Sequence, residues 1–277
     1  MANLQQAGPF LRWAGSKRWL VSEIVARTPR TFGTYFEPFL GSGAAFFALR
    51  PQNGAILSDA IPGLIQCYES VRDDPDQVFD GLSGWAVDRE TYYRVRSLIS
   101  EDKFQKAAQF IYLNKTAFNG LYRVNQSGAF NVPFGRPKNS RITTREELGA
   151  ASASLMSADL RAGDFETMLL EAKARDLIYL DPPYVAGHRM NGFVDYNSRL
   201  FRWEDQVRLR NVFERLDALG AFVILSNASH SSVAELYRGY PFQVHSRYSS
   251  MAASMASRGV STELLVIGKT LERKLSE

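Results

Sequence analysis

Hydrophobic residues recur along the chain in two rhythms, one typical of helices and one typical of buried strands. A helical stripe predicts a helix over 16–28 with Ser16 as its N-cap; its apolar members are Leu20, Val21, Ile24 and Val25. Short apolar runs predict strands at 34–37 and 55–58, and the glycine-rich turn 41–43 between them opens another helix. This order of elements is typical of the first half of a nucleotide-binding α/β unit.

The rest of the chain separates into a helical middle and a second α/β part. Helical spacing over 62–113 and 144–156 surrounds a segment, 118–135, that is rich in Asn, Gly and aromatics and predicts a loop or hairpin. Further strands are predicted at 176–180, 221–226, 242–248 and 262–268, with helices at 204–219 and 229–238. We therefore expect a Rossmann-like α/β sheet with helices on both faces (1–59 and 158–277), carrying a mostly helical insert (60–157).

Composition and cysteine usage exclude several classes of protein. Of the 277 residues 45% are hydrophobic, enough for a sizeable core, but there is no run of about 18 apolar residues that would span a membrane. The chain starts without a secretory signal pattern. A single cysteine, Cys67, precludes an internal disulfide and a cysteine-based zinc site, and the three histidines lack metal-ligand spacing. We expect a protein of the reducing cytoplasm that binds no metal.

The net charge of +4 is mild, but its distribution is uneven. Residues 69–102 contain nine acidic and four basic side chains, whereas 103–145 contain eight basic side chains and no acidic one. A one-sided basic stretch is the pattern expected of a phosphate-contacting surface, although a basic loop without a partner would look the same. Asparagines and aromatics lie between these basic residues, and such side chains read base edges or stack on bases.

The sharpest chemical motif is Asp181-Pro182-Pro183-Tyr184, directly after the apolar strand 177–180. Ligands of open α/β sheets bind at the carboxyl ends of strands. Prolines fix the backbone and cannot donate hydrogen bonds, so the turn offers carbonyl and carboxylate acceptors to an exocyclic amine. Tyr184 offers a flat face for a purine ring. A tight turn without a ligand would also suit this tetrapeptide.

A second motif is the segment 37–43, which ends in a Gly-Ser-Gly turn. Gly41 and Gly43 let the backbone approach a ligand closely, and the helix that they open presents unpaired N–H groups. Phe46 stands where the dinucleotide fingerprint has its third glycine, which disfavours NAD and FAD. Asp59, at the end of the next strand, is placed to accept hydrogen bonds from ribose hydroxyls.

Two weaker motifs accompany these. Trp13 and Lys17 flank a glycine just before the first predicted helix, where they could close over a sulfonium or carboxylate ligand. Asp164 and Phe165 offer a carboxylate and an aromatic edge at another predicted strand end. A buried tryptophan that pins the N-terminal segment would explain the first motif equally well.

Together these motifs resemble the Dam-type family (D12 class, alpha group) of S-adenosylmethionine-dependent DNA adenine-N6 methyltransferases. In order they are WAGSK (13–17), EPFLGSG (37–43), GDF (163–165) and DPPY (181–184), and inside the insert LNK (113–115), FNGLYRVN (118–125) and GAFNVPFG (128–135). The likeness extends over about 10–268. It implies an α/β methyltransferase sheet with an inserted DNA target-recognition domain.

The resemblance also implies an activity: transfer of a methyl group from S-adenosyl-L-methionine to N6 of an adenine flipped out of double-stranded DNA, with GATC as the expected site. The residues that it assigns to the cofactor are Trp13, Lys17, Phe39, Gly41, Ser42, Gly43, Asp59, Asp164, Phe165 and Asp181. The target adenine would be held by the catalytic residues Asp181, Pro182, Pro183 and Tyr184. DNA would be contacted by Arg12, Phe118, Asn119, Arg123, Asn125, Pro133 and Arg136. No obligatory protein partner is implied, and pairing with a restriction endonuclease is compatible with the family.

The chain departs from the family pattern at a few positions. Arg12 replaces a residue that is commonly lysine, Phe118 replaces tyrosine and Ser16 replaces glycine. The segment 248–261 is less basic than its counterpart in the family, which leaves sequence preference open there.

Other functions remain to be compared. A C5-cytosine methyltransferase needs a nucleophilic cysteine, and Cys67 lies in a predicted helix far from the sheet motifs. An N4-cytosine enzyme usually has serine in place of Asp181. A methyltransferase acting on RNA or another amine, and a non-catalytic DNA-binding protein with this fold, stay open as alternatives.

Overall fold

The fold is described by a computed structural model, which covers residues 7–125, 127–138, 141–184, 201–248 and 260–277. Its strands are β1 (Tyr35–Glu37), β2 (Ala55–Asp59), β3 (Ala158–Ala162), β4 (Leu177–Leu180), β5 (Phe222–Ala228), β6 (Phe242–Tyr248) and β7 (Val260–Ile267). Its helices are α1 (Val21–Ala26), α2 (Ala44–Leu49), α3 (Pro62–Asp73), α4 (Pro75–Leu82), α5 (Arg89–Arg96), α6 (Lys103–Thr116), α7 (Arg145–Leu155), α8 (Phe165–Met168), α9 (Trp203–Leu219), α10 (Ser231–Leu236) and α11 (Lys269–Ser276).

Within these residues the strands form one seven-stranded sheet in the order β3-β2-β1-β4-β5-β7-β6, flanked by helices. β4 pairs in parallel with β1 and β5, while β7 runs antiparallel to both β5 and β6. The chain order of the strands reverses between β1 and β4, so the carboxyl ends of these two strands border the crevice where open α/β sheets bind ligands. The predicted α/β methyltransferase fold is confirmed.

The chain divides into two compact units. The first unit comprises Met1–Val21, Leu40–Gln52 and Leu57–Gly163, and the second comprises Ser22–Phe39, Asn53–Ile56 and Asp164–Glu277. The predicted boundaries of the insert, 60 and 157, stay a prediction. Of the helices of the described chain, none is both long and apolar enough to cross a bilayer.

The first unit is mainly helical, with α3, α4, α6 and α7 packed against one another. Aspartate side chains begin three of its helices by accepting a backbone N–H: Asp74 at α4, Asp88 at α5 and Asp102 at α6. α7 begins with a capping box, in which Thr144 and Glu147 satisfy each other's backbone N–H groups. These caps explain why a long polar stretch breaks into separate helices.

The core of the second unit lies between its strands and α9. β4 and β5 read as nearly continuous apolar runs because both faces of a central parallel strand are covered. α9 contributes a stripe of buried side chains to this core, namely Leu209, Val212, Phe213 and Leu216. The helix ends at Gly220, whose φ of 90° is the left-handed conformation that favours glycine.

The predicted start of the first helix is wrong. The helix over 16–28 begins only at Val21, and Ser16 is not its N-cap. The Ser16 hydroxyl instead hydrogen-bonds the Ser42 hydroxyl at 2.8 Å, and successive turns occupy the residues before the helix. Contacts with the glycine turn therefore override the local helical pattern. The segment 248–261 lies mostly outside the described residues.

Candidate functional site

The Gly-Ser-Gly turn of the first unit is a left-handed backbone turn packed beneath an indole ring. Gly41 has φ 47° and Gly43 has φ 64°, conformations that side chains with a Cβ adopt at a cost. A Cβ on Gly41 would lie 2.7 Å from Cδ1 of Trp13. The glycine therefore serves both the backbone angle and the close approach of Trp13. α2 begins directly after the turn, so the turn also leads into the first N–H groups of that helix.

Asp59, at the carboxyl end of β2, holds this turn from the side. Its Oδ2 accepts a hydrogen bond from the Gly41 N–H at 3.0 Å, and its Oδ1 accepts one from the Ile61 N–H at 3.1 Å. Burial raises the pKa of Asp59 to about 6, against the opposing effect of these backbone donors. Each oxygen of a carboxylate has two lone pairs, so both oxygens keep acceptor capacity for a ligand hydroxyl.

Further side chains that the sequence motifs did not reveal hold the turn. The Tyr68 hydroxyl on α3 donates to the Gly41 carbonyl at 3.0 Å. Lys17, which is buried, donates from Nζ to the Gly15 carbonyl at 2.8 Å. The predicted cofactor residues of the first unit, Trp13, Lys17, Gly41, Ser42, Gly43 and Asp59, thus include a connected turn that is hydrogen-bonded to a strand end and a helix. Tyr68 gives no signal in the sequence because a helical tyrosine is usually core.

The seven residues predicted to contact DNA are all exposed and all lie in the first unit: Arg12, Phe118, Asn119, Arg123, Asn125, Pro133 and Arg136. Phe118 begins a 3-10 turn directly after α6, and 45% of its side chain is exposed. The bridges Ala117–Phe134 and Val124–Phe130 close the following segment into a hairpin. The predicted loop or hairpin at 118–135 is therefore confirmed.

Two asparagines in this hairpin shape the backbone and its side chains. The Asn131 side-chain oxygen accepts from Nε of Arg123 at 2.7 Å, which fixes the direction of the guanidinium. Asn125 uses its Oδ1 to accept the N–H groups of Ser127 and Ala129 at 3.0 and 2.9 Å. The oxygen of Asn125 thus stabilises the hairpin tip, and its amide nitrogen is the part of the side chain suited to a DNA contact.

Arg12 is held against the start of the hairpin. Asn114 of α6 accepts from the Arg12 N–H at 2.8 Å and donates to the Arg12 carbonyl at 2.7 Å. A Cβ on Gly120 would lie 2.9 Å from the Arg12 Cβ, so the two segments touch. The Trp13 ring stacks on Tyr122 with centroids 5.9 Å apart. The N-terminal motif and the predicted DNA-reading segment therefore form one connected surface within the first unit.

Ion pairs reduce the basic footprint that the sequence predicts. Of the eight basic residues in 103–145, four pair with carboxylates: Lys103 with Asp73, Lys106 with Glu101, Arg141 with Glu147, and Arg145 with Asp76 and Asp80. Burial and the nearby arginines lower the pKa of Lys115 to about 8. Among the predicted DNA-contacting residues and the basic residues of 103–145, four exposed cations have no carboxylate partner in the described chain: Arg12, Arg123, Arg136 and Lys138.

The Asp-Pro-Pro-Tyr motif of the second unit lies at the carboxyl end of β4, and its aspartate is hydrogen-bonded from β5. The Ser226 hydroxyl donates to Oδ1 of Asp181 at 2.9 Å, and the Tyr179 hydroxyl lies 2.8 Å from the Ser226 oxygen. At the carboxyl end of the neighbouring β1, the Tyr35 hydroxyl donates to Oε2 of Glu37 at 2.8 Å. The edge of the sheet at the β1–β4 crevice is thus rich in oriented oxygen acceptors.

Asp164 and Phe165 are held together by an arginine that the sequence reading missed. Arg208 of α9 donates to Oδ1 of Asp164 at 2.8 Å, and its guanidinium lies 4.9 Å from the centre of the Phe165 ring. Phe165 also contacts Phe39 and Phe201, with ring centroids 5.3 and 5.9 Å away. The second unit therefore gathers the predicted residues Phe39, Asp164 and Phe165 into one aromatic and carboxylate cluster.

Cys67 has no nucleophilic role. It is buried in α3, and burial raises the pKa of its thiol above the ordinary value. A thiol with a raised pKa is poorly ionised at neutral pH, whereas thiolate is the reactive form. This excludes the cysteine-dependent attack that C5-cytosine methylation needs.

Known proteins with similar sequences show which family the chain belongs to. The family model for D12 class N6 adenine-specific DNA methyltransferases matches residues 13–252. The chain is 38% identical over 268 residues to the Type II methyltransferase M1.LlaDCHI of Lactococcus lactis subsp. cremoris, covering 93% of this chain and 94% of that protein. It is 36% identical over 255 residues to the Type II methyltransferase M.MjaIII of Methanocaldococcus jannaschii, covering 84% of this chain and 88% of that protein.

A third relative carries a different type of name. The chain is 30% identical over 266 residues to the DNA adenine methylase of Escherichia coli (strain K12), covering 94% of this chain and 95% of that protein. A family model that spans most of the chain and relatives that match over nearly their full lengths agree on the reaction. The chain belongs to the D12 class of N6 adenine-specific DNA methyltransferases, enzymes that methylate adenine in DNA.

Proposed function

We propose that the protein transfers a methyl group from S-adenosylmethionine to N6 of an adenine that is flipped out of a GATC site in double-stranded DNA. The observation that carries this proposal is the carboxylate of Asp181, held by a hydrogen bond from Ser226 at the carboxyl end of β4. A fixed acceptor at this edge of the sheet suits the exocyclic amine of adenine, which has two protons to donate.

The first unit supplies the residues proposed for the methyl donor. Asp59 ends β2 with an acceptor that suits ribose hydroxyls, and the bare backbone at Gly41 and Gly43 leaves room for close approach. The acceptor of Asp59 and the open backbone of the turn fit S-adenosylmethionine, which supplies a methyl group bonded to a positively charged sulfur. Trp13 and Lys17 are the proposed neighbours of the same molecule. For Phe39, Asp164 and Phe165, the proposed cofactor role rests on the family resemblance.

The protein's part in the reaction is to bind and orient the amine. Asp181 and the carbonyls of the proline pair accept the N–H protons, so the nitrogen lone pair is directed away from them. The new N–C bond forms as the sulfur–carbon bond breaks, which leaves a neutral thioether. The nitrogen then releases its additional proton to water. The reaction needs no covalent enzyme intermediate, because orientation of the two reactants provides much of the rate.

Base flipping is proposed because N6 of a paired adenine is inaccessible inside a duplex. Phe118, exposed at the start of the hairpin, is the proposed side chain that fills the gap left in the base stack. Arg123, oriented by Asn131, is proposed to read O6 and N7 of a guanine. Unstacking costs a few kcal/mol, which phosphate contacts by the exposed cations of the same unit would offset.

Labelled S-adenosylmethionine and two duplexes that differ only in a GATC site test this function. We expect N6-methyladenine, identified by nucleoside analysis, only in the duplex that contains GATC. N6-methyladenine in both duplexes would contradict the site but not the reaction. Transfer to RNA alone, or DNA binding with no transfer to any substrate, would contradict the proposal and favour one of the two alternatives. The relatives named as Type II methyltransferases suggest a restriction endonuclease with the same site as a functional partner.

A further inference from the structure

A chain of three hydrogen-bonded side chains leads from the buried interior of the sheet to the Asp-Pro-Pro-Tyr motif. It runs from Tyr179 on β4 to Ser226 on β5 and from there to Asp181. Tyr179 is 1% exposed and Ser226 is 0% exposed, so water does not compete for the hydrogen bond between them, whereas Asp181 at the end of the chain is partly exposed. The parallel pairing of β4 with β5, which places Leu180 opposite Leu225, brings the next residues of both strands together.

The direction of the hydrogen bonds in this chain follows from counting protons. A serine hydroxyl has one proton, and Ser226 donates it to the carboxylate of Asp181. The short contact between Tyr179 and Ser226 must therefore use the tyrosine proton. Burial, followed by the nearby charge of Asp181, raises the pKa of Tyr179 well above its ordinary value, so the tyrosine keeps that proton. The order of donation is Tyr179 to Ser226 to Asp181.

We propose that Ser226, supported by Tyr179, is a positioning residue that fixes the carboxylate of Asp181 for the amine of the target adenine. With Oδ1 held by Ser226, rotation of the carboxylate would break the hydrogen bond that it accepts from a fully buried hydroxyl. Each donor in the chain also polarises the next, which strengthens the bond that reaches Asp181. This inference rests on the proposed role of Asp181 in the methyl transfer.

The main test compares single-turnover methyl-transfer rates of the wild-type protein with Ser226→Ala, Tyr179→Phe and Tyr237→Phe. Ser226→Ala removes one oxygen atom, and we expect the rate to fall about 10- to 100-fold, the effect of losing a hydrogen bond to a charged group. Tyr179→Phe should lower the rate about 3- to 10-fold, since it weakens the donor rather than removing it.

Tyr237→Phe is the matched control. Tyr237 is as deeply buried as Tyr179 and lies in the same unit, but its hydroxyl has no hydrogen-bond partner within the described residues. We expect this variant to keep the wild-type rate within about twofold, because it loses no hydrogen bond. Equal losses in Tyr179→Phe and Tyr237→Phe would overturn the proposal, because they would show a general effect of the core.

A binding measurement without methyl donor gives a second readout. Fluorescence anisotropy compares a duplex that carries the target adenine with the same duplex carrying purine, which lacks the 6-amino group. We expect the wild-type preference for adenine to shrink toward one in Ser226→Ala and to be retained in Tyr237→Phe. An unchanged transfer rate together with an unchanged preference in Ser226→Ala would overturn the positioning role.

Comparison of Asp181→Asn with Ser226→Ala distinguishes the positioning role of Ser226 from the proposed function of Asp181. If Asp181→Asn loses transfer while Ser226→Ala keeps it, Asp181 acts without Ser226 and the positioning role is wrong. If Asp181→Asn transfers at the wild-type rate, the proposed function of the site is wrong. Urea unfolding of each variant shows whether it is folded, and Tyr179→Phe provides the test if Ser226→Ala is not.

Discussion

Lowering the pH from 7 to 5 should weaken the binding of S-adenosylmethionine through one side chain, Asp59. Burial raises the pKa of Asp59 to about 6. Its carboxylate is therefore about nine-tenths ionised at pH 7 and about one-tenth ionised at pH 5. If ribose hydroxyls donate to the ionised form, the apparent Kd rises about tenfold over this range, in proportion to the loss of the competent form.

The same titration should stabilise the fold as the pH falls, although it weakens the binding of S-adenosylmethionine. The ordinary pKa of the side chain is 3.8, so the folded protein binds this proton more tightly than the unfolded chain does. The unfavourable contribution of ionised Asp59 therefore decreases as the pH falls toward 4. Between pH 7 and pH 5 the gain in the free energy of unfolding from Asp59 is about 1 kcal/mol.

Equilibrium dialysis of labelled S-adenosylmethionine between pH 5 and 7.5, with urea unfolding at the same pH values, measures both effects. Asp59→Asn should bind more weakly at every pH, because an amide has one oxygen for the two N–H groups of Gly41 and Ile61, and its Kd should not vary over this range. Asp74→Asn, the same change at the N-cap of α4, should keep the wild-type pH dependence. A flat Kd in the wild type, or an unchanged slope in Asp59→Asn, would show that Asp59 does not set the pH dependence of binding.

Three further outcomes follow from the first unit. Arg123→Ala should lose about 10- to 100-fold discrimination at one base pair, measured by transfer to duplexes with single substitutions; unchanged site choice would remove Arg123 from base reading. If Arg12, Arg123, Arg136 and Lys138 make the phosphate contacts, the slope of log K for DNA against log salt should be about −4. A slope near −7 would instead indicate that all eight basic residues of 103–145 contact phosphates. Gly41→Ala should destabilise the protein by about 1–2 kcal/mol in urea unfolding. Gly149→Ala, whose new methyl meets no atom within 4 Å, should instead stabilise α7 by about 0.5–1 kcal/mol. Equal effects of the two variants would contradict the packing of Trp13 on the turn.

Much of the fold is predictable from the sequence because its strands are apolar runs ended by glycine, proline or acidic residues. The strands at 34–37, 55–58 and 176–180 lie within one or two residues of β1, β2 and β4. The α11 helix was not predicted, since only Leu271 of its side chains is buried and the apolar pattern is short. The predicted helix start at Ser16 is wrong for a different reason, because the Ser16 hydroxyl is hydrogen-bonded to Ser42 instead of capping the helix.

Some site residues are likewise recognisable in the sequence and others are not. Asp59 and Asp181 are recognisable because an acid directly after an apolar strand is placed at the binding edge of a parallel sheet. Ser226 and Tyr179 carry no such signal, since a serine and a tyrosine inside apolar strands are usually core. Arg208 is equally silent, as a helical arginine is usually solvated. Their roles depend on which strands are neighbours and on which helix face meets α8, and only the three-dimensional structure gives this information.

Asp181 is proposed to accept the target amine, and the exposed cations of the first unit are proposed to contact the DNA phosphates. The most direct measurement is made on Asp181→Ala, in which methyl transfer to a GATC duplex and salt-dependent binding of that duplex are followed in parallel. We expect transfer to be abolished and the salt slope to stay near that of the wild type, while affinity for the duplex falls no further than to the affinity of the wild type for the purine duplex. Transfer at the wild-type rate by Asp181→Ala would contradict the proposed role of Asp181.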